Sequence, residues 1–379
     1  MKKTIAIFSG FYLPFLGGIE RYTYNIVQKF VERGYNVVIV TTQHNDKLLN
    51  LETFGTVKIY RLPIRNIWKK RYPFFLKNKL YNELLEQIKS ESIDYYIVNT
   101  RFQLPAILGA KLAKEAGKKA IVIEHGTTYL TLNNPVLDVL LHQVEKKLIN
   151  IVKKNTDLFY GVSKEASKWL TNFDVQAKGV LYNAIDFEDY NRYFHFQNSE
   201  KLIISYSGRL QAKFKGVEML LSAFSKLSEE FDDIELLIAG DGPIYEEITQ
   251  KYKQKNINFL GRISHEKVME LNNRSDIFVL MSKIEGFSTS MLEAAQLENV
   301  IITTNVGGAR ELIPNDKYGF VIENNEEALL KTLRQLLTHR EEIKEIQKRV
   351  SQRVMNKFTW DKTVDEFEKV FIEIEQKEE

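Results

Sequence analysis

The chain has no cysteine among its 379 residues. That removes disulfides, thiolate metal ligands and cysteine nucleophiles, and it fits a cytoplasmic protein. No apolar run reaches the ~18 residues that spanning a bilayer requires, so no transmembrane helix is expected. Low-complexity tracts are also missing. Neither G-x-G-x-x-G nor G-x-x-x-x-G-K-[ST] occurs, which argues against a dinucleotide dehydrogenase and a P-loop NTPase. No metal-ligand cluster is visible, so no metal or other cofactor is expected.

What is present describes an ordered globular chain: 44% of residues are hydrophobic and 12% aromatic, and the length allows two domains. The opening stretch "MKKTIAIFSGFYLPFLGG" imitates a signal peptide, with two lysines before an apolar run. Its apolar part is short, ends in glycine and leads into the amphipathic "IERYTYNIVQKFVERG", so a first strand entering a helix is expected instead.

Apolar strands then alternate with helical stretches. In the first half the strands read "TIAIFS", "NVVIVTT", "VKIYRL", "YYIVNT", "KAIVIEHG" and "DLFYGVS". In the second half they read "LIISYSG", "IELLIAG", "NINFLG", "DIFVLMS", "VIITTN" and "GFVIE". Such alternation predicts an α/β protein with parallel sheets covered on both faces. The polar stretch "AIDFEDYNRYFHFQNSE" interrupts the pattern. Two Rossmann-like doubly wound domains are therefore expected, at 1–190 and 200–357, facing across a cleft between the carboxyl ends of their strands. Val364, Phe367, Val370, Phe371 and Ile374 fall at helical spacing and make 358–379 a closing helix.

The net charge of +3 conceals an asymmetry. Residues 1–190 hold 27 Lys/Arg against 18 Asp/Glu, while the remainder holds 26 against 32. Between Glu52 and Glu83 there is no acid but eight bases: Lys58, Arg61, Arg65, Lys69, Lys70, Arg71, Lys77 and Lys79. Trp68, Tyr72, Phe74 and Phe75 are interleaved with them. A solvated face is one reading. The other is an anionic membrane surface met by residues 58–79, since basic side chains attract lipid headgroups and aromatic rings occupy the interface. Nothing resembles a nucleic-acid module, and no nucleic-acid partner is expected.

Several stretches sit at strand ends where ligands of open α/β sheets bind. "KIEGFSTSMLEAAQ" follows an apolar strand and places Glu285 in a glycine turn and Glu293 about two turns into a helix. Gly17 and Gly18 open a helix, where backbone N–H groups can approach an anion; an ordinary tight turn explains them equally. His125 lies at a strand end in "EHG". "SGRLQAKFKG" sets Arg209 and Lys215 six residues apart, as a fork and a point charge suited to a diphosphate. Lys213 competes with them but is expected to be solvated. "DFED", Asp186 to Asp189, imitates a metal-binding D-x-D and is likewise expected to be solvated. On these residues alone, Glu285 and Glu293 also fit a two-carboxylate hydrolase, although a phosphate clamp has no place there.

"GGIERY", "SGRL…KG", "LLIAGDGP", "FLGRIS" and "EGFSTSMLEAA" followed by "VGGARELI" together resemble the retaining GT-B glycosyltransferases of family 4, the group 1 glycosyltransferases, over nearly the full chain. Glu285 and Glu293 match that family's E-x7-E motif. The resemblance implies a nucleotide-diphosphate sugar as donor, with Glu285 on donor-sugar hydroxyls and Glu293 on the ribose. It implies backbone N–H groups around Gly286, Phe287 and Ser288 against sugar and diphosphate, and Arg209 and Lys215 on the phosphates. Gly17 and Gly18 join the same site, and His125 stands near the reacting carbon to position donor and acceptor. The first domain becomes the acceptor domain and the second the donor domain. With the basic run, this implies a lipid-linked saccharide acceptor in cell-surface polysaccharide synthesis, at the inner face of the cell membrane. A non-catalytic GT-B subunit, a GT-B epimerase or phosphorylase, and a transferase with a soluble or protein acceptor are the alternatives.

Overall fold

The computed structural model describes all residues except 1, 16, 68–71, 133, 196–198, 212–214 and 379. The chain forms two compact units: Met1–Tyr182 with Trp360–Glu379, and Asn183–Thr359.

The first unit holds β1 (Thr4–Phe8), β2 (Asn36–Thr42), β3 (Leu51–Phe54), β4 (Val57–Leu62), β5 (Ile64–Ile67), β6 (Tyr72–Phe75), β7 (Tyr95–Asn99), β8 (Ala120–Glu124), β9 (Phe159–Gly161) and β10 (Gly179–Val180). Eight of them form one sheet in the order β10-β9-β8-β7-β1-β2-β4-β3, and β5 pairs with β6 as a separate hairpin. All pairings in the large sheet are parallel except β3 with β4. Successive residues of a strand face opposite sides. Ala6, Phe8, Val38, Val40, Tyr96 and Val98 therefore point one way, into a core shared with the helices Lys79–Ser90, Leu104–Glu115 and Pro135–Lys153. Tyr95 points the other way and stacks on Phe371 at 3.9 Å.

Phe371 belongs to the helix Trp360–Glu378, which packs on the helix Gly18–Glu32. Phe30 meets both Phe367 and Phe371, and Arg33 pairs with Asp365 and Glu368. The terminal helix expected at 358–379 is thus part of the first unit's core.

The second unit contains β11 (Leu202–Ser207), β12 (Ile234–Ala239), β13 (Ile257–Gly261), β14 (Ile277–Leu280), β15 (Val300–Thr304) and β16 (Phe320–Ile322). They form one parallel sheet in the order β13-β12-β11-β14-β15-β16. The aperiodic stretch after Tyr182, expected to separate the domains, packs with this unit. Gln296 Nε2 donates to the Asp186 carbonyl at 2.6 Å, and the Tyr190 hydroxyl donates to Glu298 at 2.9 Å. The division falls after Tyr182 rather than between 190 and 200.

In each sheet the chain reverses its winding at one place: between β1 and β7, and between β11 and β14. Ligands of open α/β sheets sit outside the carboxyl ends of strands at such switch points.

Candidate functional site

At the second unit's switch point, β11 delivers Arg209 and β14 runs into the loop carrying Glu285. Gly216 fixes how the two meet. Its φ is +64°, and a Cβ there would collide with the Met281 carbonyl, so only glycine starts the helix Val217–Leu227 this close to the end of β14. Lys215 Nζ then reaches Glu285 Oε1 at 2.6 Å, and the Ser282 hydroxyl donates to the same oxygen at 2.7 Å. Both members of the ion pair are largely shielded from water. Arg209 is exposed, and its guanidinium has no ion pair among the described residues. Lys213 lies outside the described residues.

Glycine works the same way at Gly307, whose φ is +48° and whose absent Cβ leaves room for the Gly286 carbonyl. The turn 286–288 is anchored from outside the motif: Asn183 Nδ2 donates to the Phe287 carbonyl at 2.8 Å and to the Thr289 hydroxyl at 2.9 Å. Phe287 is buried against Phe358. Ser288 caps the helix Thr289–Gln296 through the Met291 N–H, satisfying one of the N–H groups that a helix start leaves without an intrahelical partner.

Glu293 is the fifth residue of that helix, just past its first turn and not the two turns expected. Its carboxylate is buried and hydrogen-bonded to His265 Nε2 at 2.8 Å. Asp189 stands in the same electrostatic neighbourhood. Burial raises its carboxyl above the ordinary range, the Asp186 and Glu293 carboxylates add to that, and His265 opposes it. The "DFED" segment is therefore a half-buried edge of the Glu293 environment rather than a solvated loop. Among the described residues, no three His, Cys, Asp or Glu side chains are grouped as a metal ion would need.

His125 lies in the first unit, after β8. Its Nε2 is 2.9 Å from Asn99 Oδ1, Asn99 Nδ2 donates to Thr23 Oγ1 at 2.7 Å, and that hydroxyl donates to the Ile19 carbonyl. An amide oriented this way can only accept from the ring, which assigns the hydrogen to Nε2 and leaves Nδ1 as acceptor. Burial lowers the His125 pKa to about 3, and Tyr22 packs edge-on against the ring.

The loop after His125 is fixed by charges that sequence reading missed. Arg101, fully buried, pairs with both Glu124 and Glu145. Glu124 also accepts from the Gly126 N–H, Glu145 from the Leu130 N–H, and Arg101 donates to the Thr128 carbonyl. Gly17 caps and Gly18 begins the helix Gly18–Glu32. The buried Glu20 carboxylate accepts backbone hydrogen bonds at Gly17 and at its own N–H. Burial pushes its pKa up to about 7 against those bonds. The anion site expected at this helix start already holds a carboxyl group of the chain itself.

The basic run divides. Arg61 is buried, paired with Glu52 and bonded to the Leu13 and Leu49 carbonyls, so it cannot contribute to a surface patch. Lys58 is held by Glu91, and Phe75 packs on Tyr81. Arg65, Phe74, Lys77 and Lys79 are exposed. Trp68, Lys69, Lys70 and Arg71 lie outside the described residues, and the Tyr72 side chain is not described. No helix among the described residues is long and apolar enough to cross a membrane.

Comparison with known proteins accounts for both units. The profile described as Glycosyltransferase Family 4 matches residues 16–189, and that described as Glycosyl transferases group 1 matches residues 188–353. The phosphatidylinositol N-acetylglucosaminyltransferase GPI3 subunit of Saccharomyces cerevisiae is 28% identical over 337 residues, covering 83% of this chain and 71% of its own. Sucrose-phosphate synthase from Thermosynechococcus elongatus superposes with a TM-score of 0.76 at 16% identity, over 98% of this chain and 99% of its own. Anabaena HepE, solved with UDP-glucose, does so with a TM-score of 0.73 at 16% identity, over 98% and 99%.

Proposed function

The chain belongs to the family 4, group 1 glycosyltransferases and has their GT-B fold, and we propose that it transfers a sugar, with retention of anomeric configuration, from a nucleotide-diphosphate sugar to a lipid-linked saccharide. One observation carries this reading: Lys215 and Glu285 meet at 2.6 Å at the β11/β14 switch point, next to the strand end that bears the exposed Arg209. A cation pair and a carboxylate fit the two ends of a sugar diphosphate. Arg209 and Lys215 take the phosphate charge, and Glu285 accepts from sugar hydroxyls. Glu293, oriented by His265, accepts from the two ribose hydroxyls.

In the reaction the bond from the anomeric carbon to the phosphate oxygen breaks and negative charge accumulates on the leaving diphosphate. Groups already aimed at that charge stabilise the transition state most. The acceptor hydroxyl attacks from the same face, and its proton passes to the departing phosphate oxygen. His125, neutral, positions the reactants and does not take that proton.

The acceptor reading draws on two supports. A relative is named for a phosphatidylinositol substrate, and Arg65, Phe74, Lys77 and Lys79 are exposed in the first unit. Both support a position at the cytoplasmic face of a membrane as part of this reading. The test is a screen of uridine, guanosine and adenosine diphosphate sugars for hydrolysis, with the released anomer read by NMR before mutarotation, followed by mass analysis on a lipid-diphosphate acceptor. An α-linked donor should release the α sugar. The β product would contradict retention, and absence of turnover with every donor would favour a non-catalytic subunit.

A further inference from the structure

The helix Pro135–Lys153 is turned inside out over its first half. Along that half Glu145 is buried, and Asp138, Leu141 and His142 are half-buried. Asp138 bonds Thr131 and the Leu132 N–H, His142 bonds the Leu130 carbonyl, and Glu145 pairs with Arg101. The outward side carries Val136, Leu137, Val139, Leu140 and Val144, each between 46% and 74% exposed. A surface helix ordinarily does the reverse, burying its apolar stripe against the core. An apolar surface this concentrated on one element marks an interaction site.

Charge decides what covers it. The exposed charged residues that follow on this helix are Lys146 and Lys147; its two acids are tied up in the contacts just named. Apolar side chains flanked by bases, with no outward acid, are the composition of a helix that lies in the interface of an anionic bilayer. The helix also packs on Leu104–Glu115, the helix that touches the β5–β6 hairpin bearing Arg65 and Phe74. Two exposed basic–apolar elements thus flank one helix of the first unit.

We propose that the outward face of the helix Pro135–Lys153 docks on an anionic phospholipid bilayer. The apolar side chains enter the headgroup boundary, and Lys146 and Lys147 meet the phosphates. The helix follows the loop that begins at His125 and is stapled by Arg101, so docking brings the membrane to the histidine-bearing edge of the unit. The proposal does not depend on the donor assignment, since vesicle binding is read without turnover.

Because the chain has no cysteine, Leu140→Cys places one environment-sensitive fluorophore on this face, and Glu373→Cys on the helix Trp360–Glu378 is the control. With vesicles of phosphatidylglycerol and phosphatidylcholine, the label at 140 should shift to the blue and be quenched by brominated acyl chains, while the control stays unchanged. Vesicles of phosphatidylcholine alone should give a much weaker response. Leu137→Asn/Leu140→Asn/Val144→Asn should keep the thermal transition and lower vesicle partitioning by at least about tenfold. No response of the label at 140 to anionic vesicles overturns the proposal. So does a dimer, seen by analytical ultracentrifugation, that the triple variant dissolves without any vesicle response, since the face would then belong to a second copy.

Discussion

Asn99 holds the His125 ring by Nε2, and burial lowers its pKa to about 3, far below the ordinary histidine range. The ring is therefore neutral throughout the range where enzymes of this kind work, and so weak a base contributes little to proton abstraction. Two consequences follow. The rate should show no acid limb near pH 6.5 traceable to His125, and NMR of its ring nitrogens should show no titration between pH 8 and 5. The folded state also takes up fewer protons here than the unfolded state, so His125 lowers stability as pH falls from 6.5 toward 3. A titrating ring near 6.5 would restore it as a candidate base. At the other site, Arg209→Ala and Lys215→Ala should each reduce kcat about a hundredfold, because leaving-group charge grows toward the transition state. Lys215→Ala should in addition cost some stability, since it removes the 2.6 Å ion pair to the shielded Glu285. A change confined to KM would make the pair a ground-state binding feature. Lys213→Ala should be nearly silent.

Elements matter here chiefly for how their ends are held. The loop after β8 owes its position to the buried Arg101–Glu124–Glu145 cluster, and removing one partner from such a cluster leaves charge buried and uncompensated. Arg101→Ala should lower the stability of the protein by about 3–5 kcal/mol, measured by denaturant unfolding; a loss below 1 kcal/mol would mean the cluster is not what fixes the loop. Sequence reading could not see it. Arg101, Glu124 and Glu145 are separate charges in the chain and become one cluster only when β7, β8 and the helix Pro135–Lys153 pack. The same holds for His265 and Asn183, which reach the E-x7-E segment from other elements. The strand, turn and helix that carry Glu285 and Glu293, by contrast, are legible because they follow one another directly in the chain. Each expected strand is present, since a parallel strand covered on both faces reads as a nearly continuous apolar run. β3, β5, β6 and β10 were not expected; each is at most four residues long, and β5 and β6 lie within the basic, aromatic run.

At the scale of the whole molecule, helical periodicity announced the terminal helix but not its partner. Phe367 and Phe371 find Phe30 and Tyr95, residues from the opposite end of the chain, and no local pattern encodes such a contact. The unit boundary moved for a related reason: the polar stretch after Tyr182 looks like a linker until Asp186 and Tyr190 bond with Gln296 and Glu298. What joins all these parts into an enzyme is the claim that the second unit binds a nucleoside diphosphate through Glu293. Calorimetric titration of uridine, guanosine and adenosine diphosphate into the wild-type chain and into Glu293→Ala tests it most directly. At least one nucleotide should bind, and the substitution should weaken that binding by about 10- to 150-fold, the equivalent of roughly 1.5–3 kcal/mol for hydrogen bonds to a charged group. Equal affinity of the two proteins for the nucleotide that binds, or binding of none, would contradict the account.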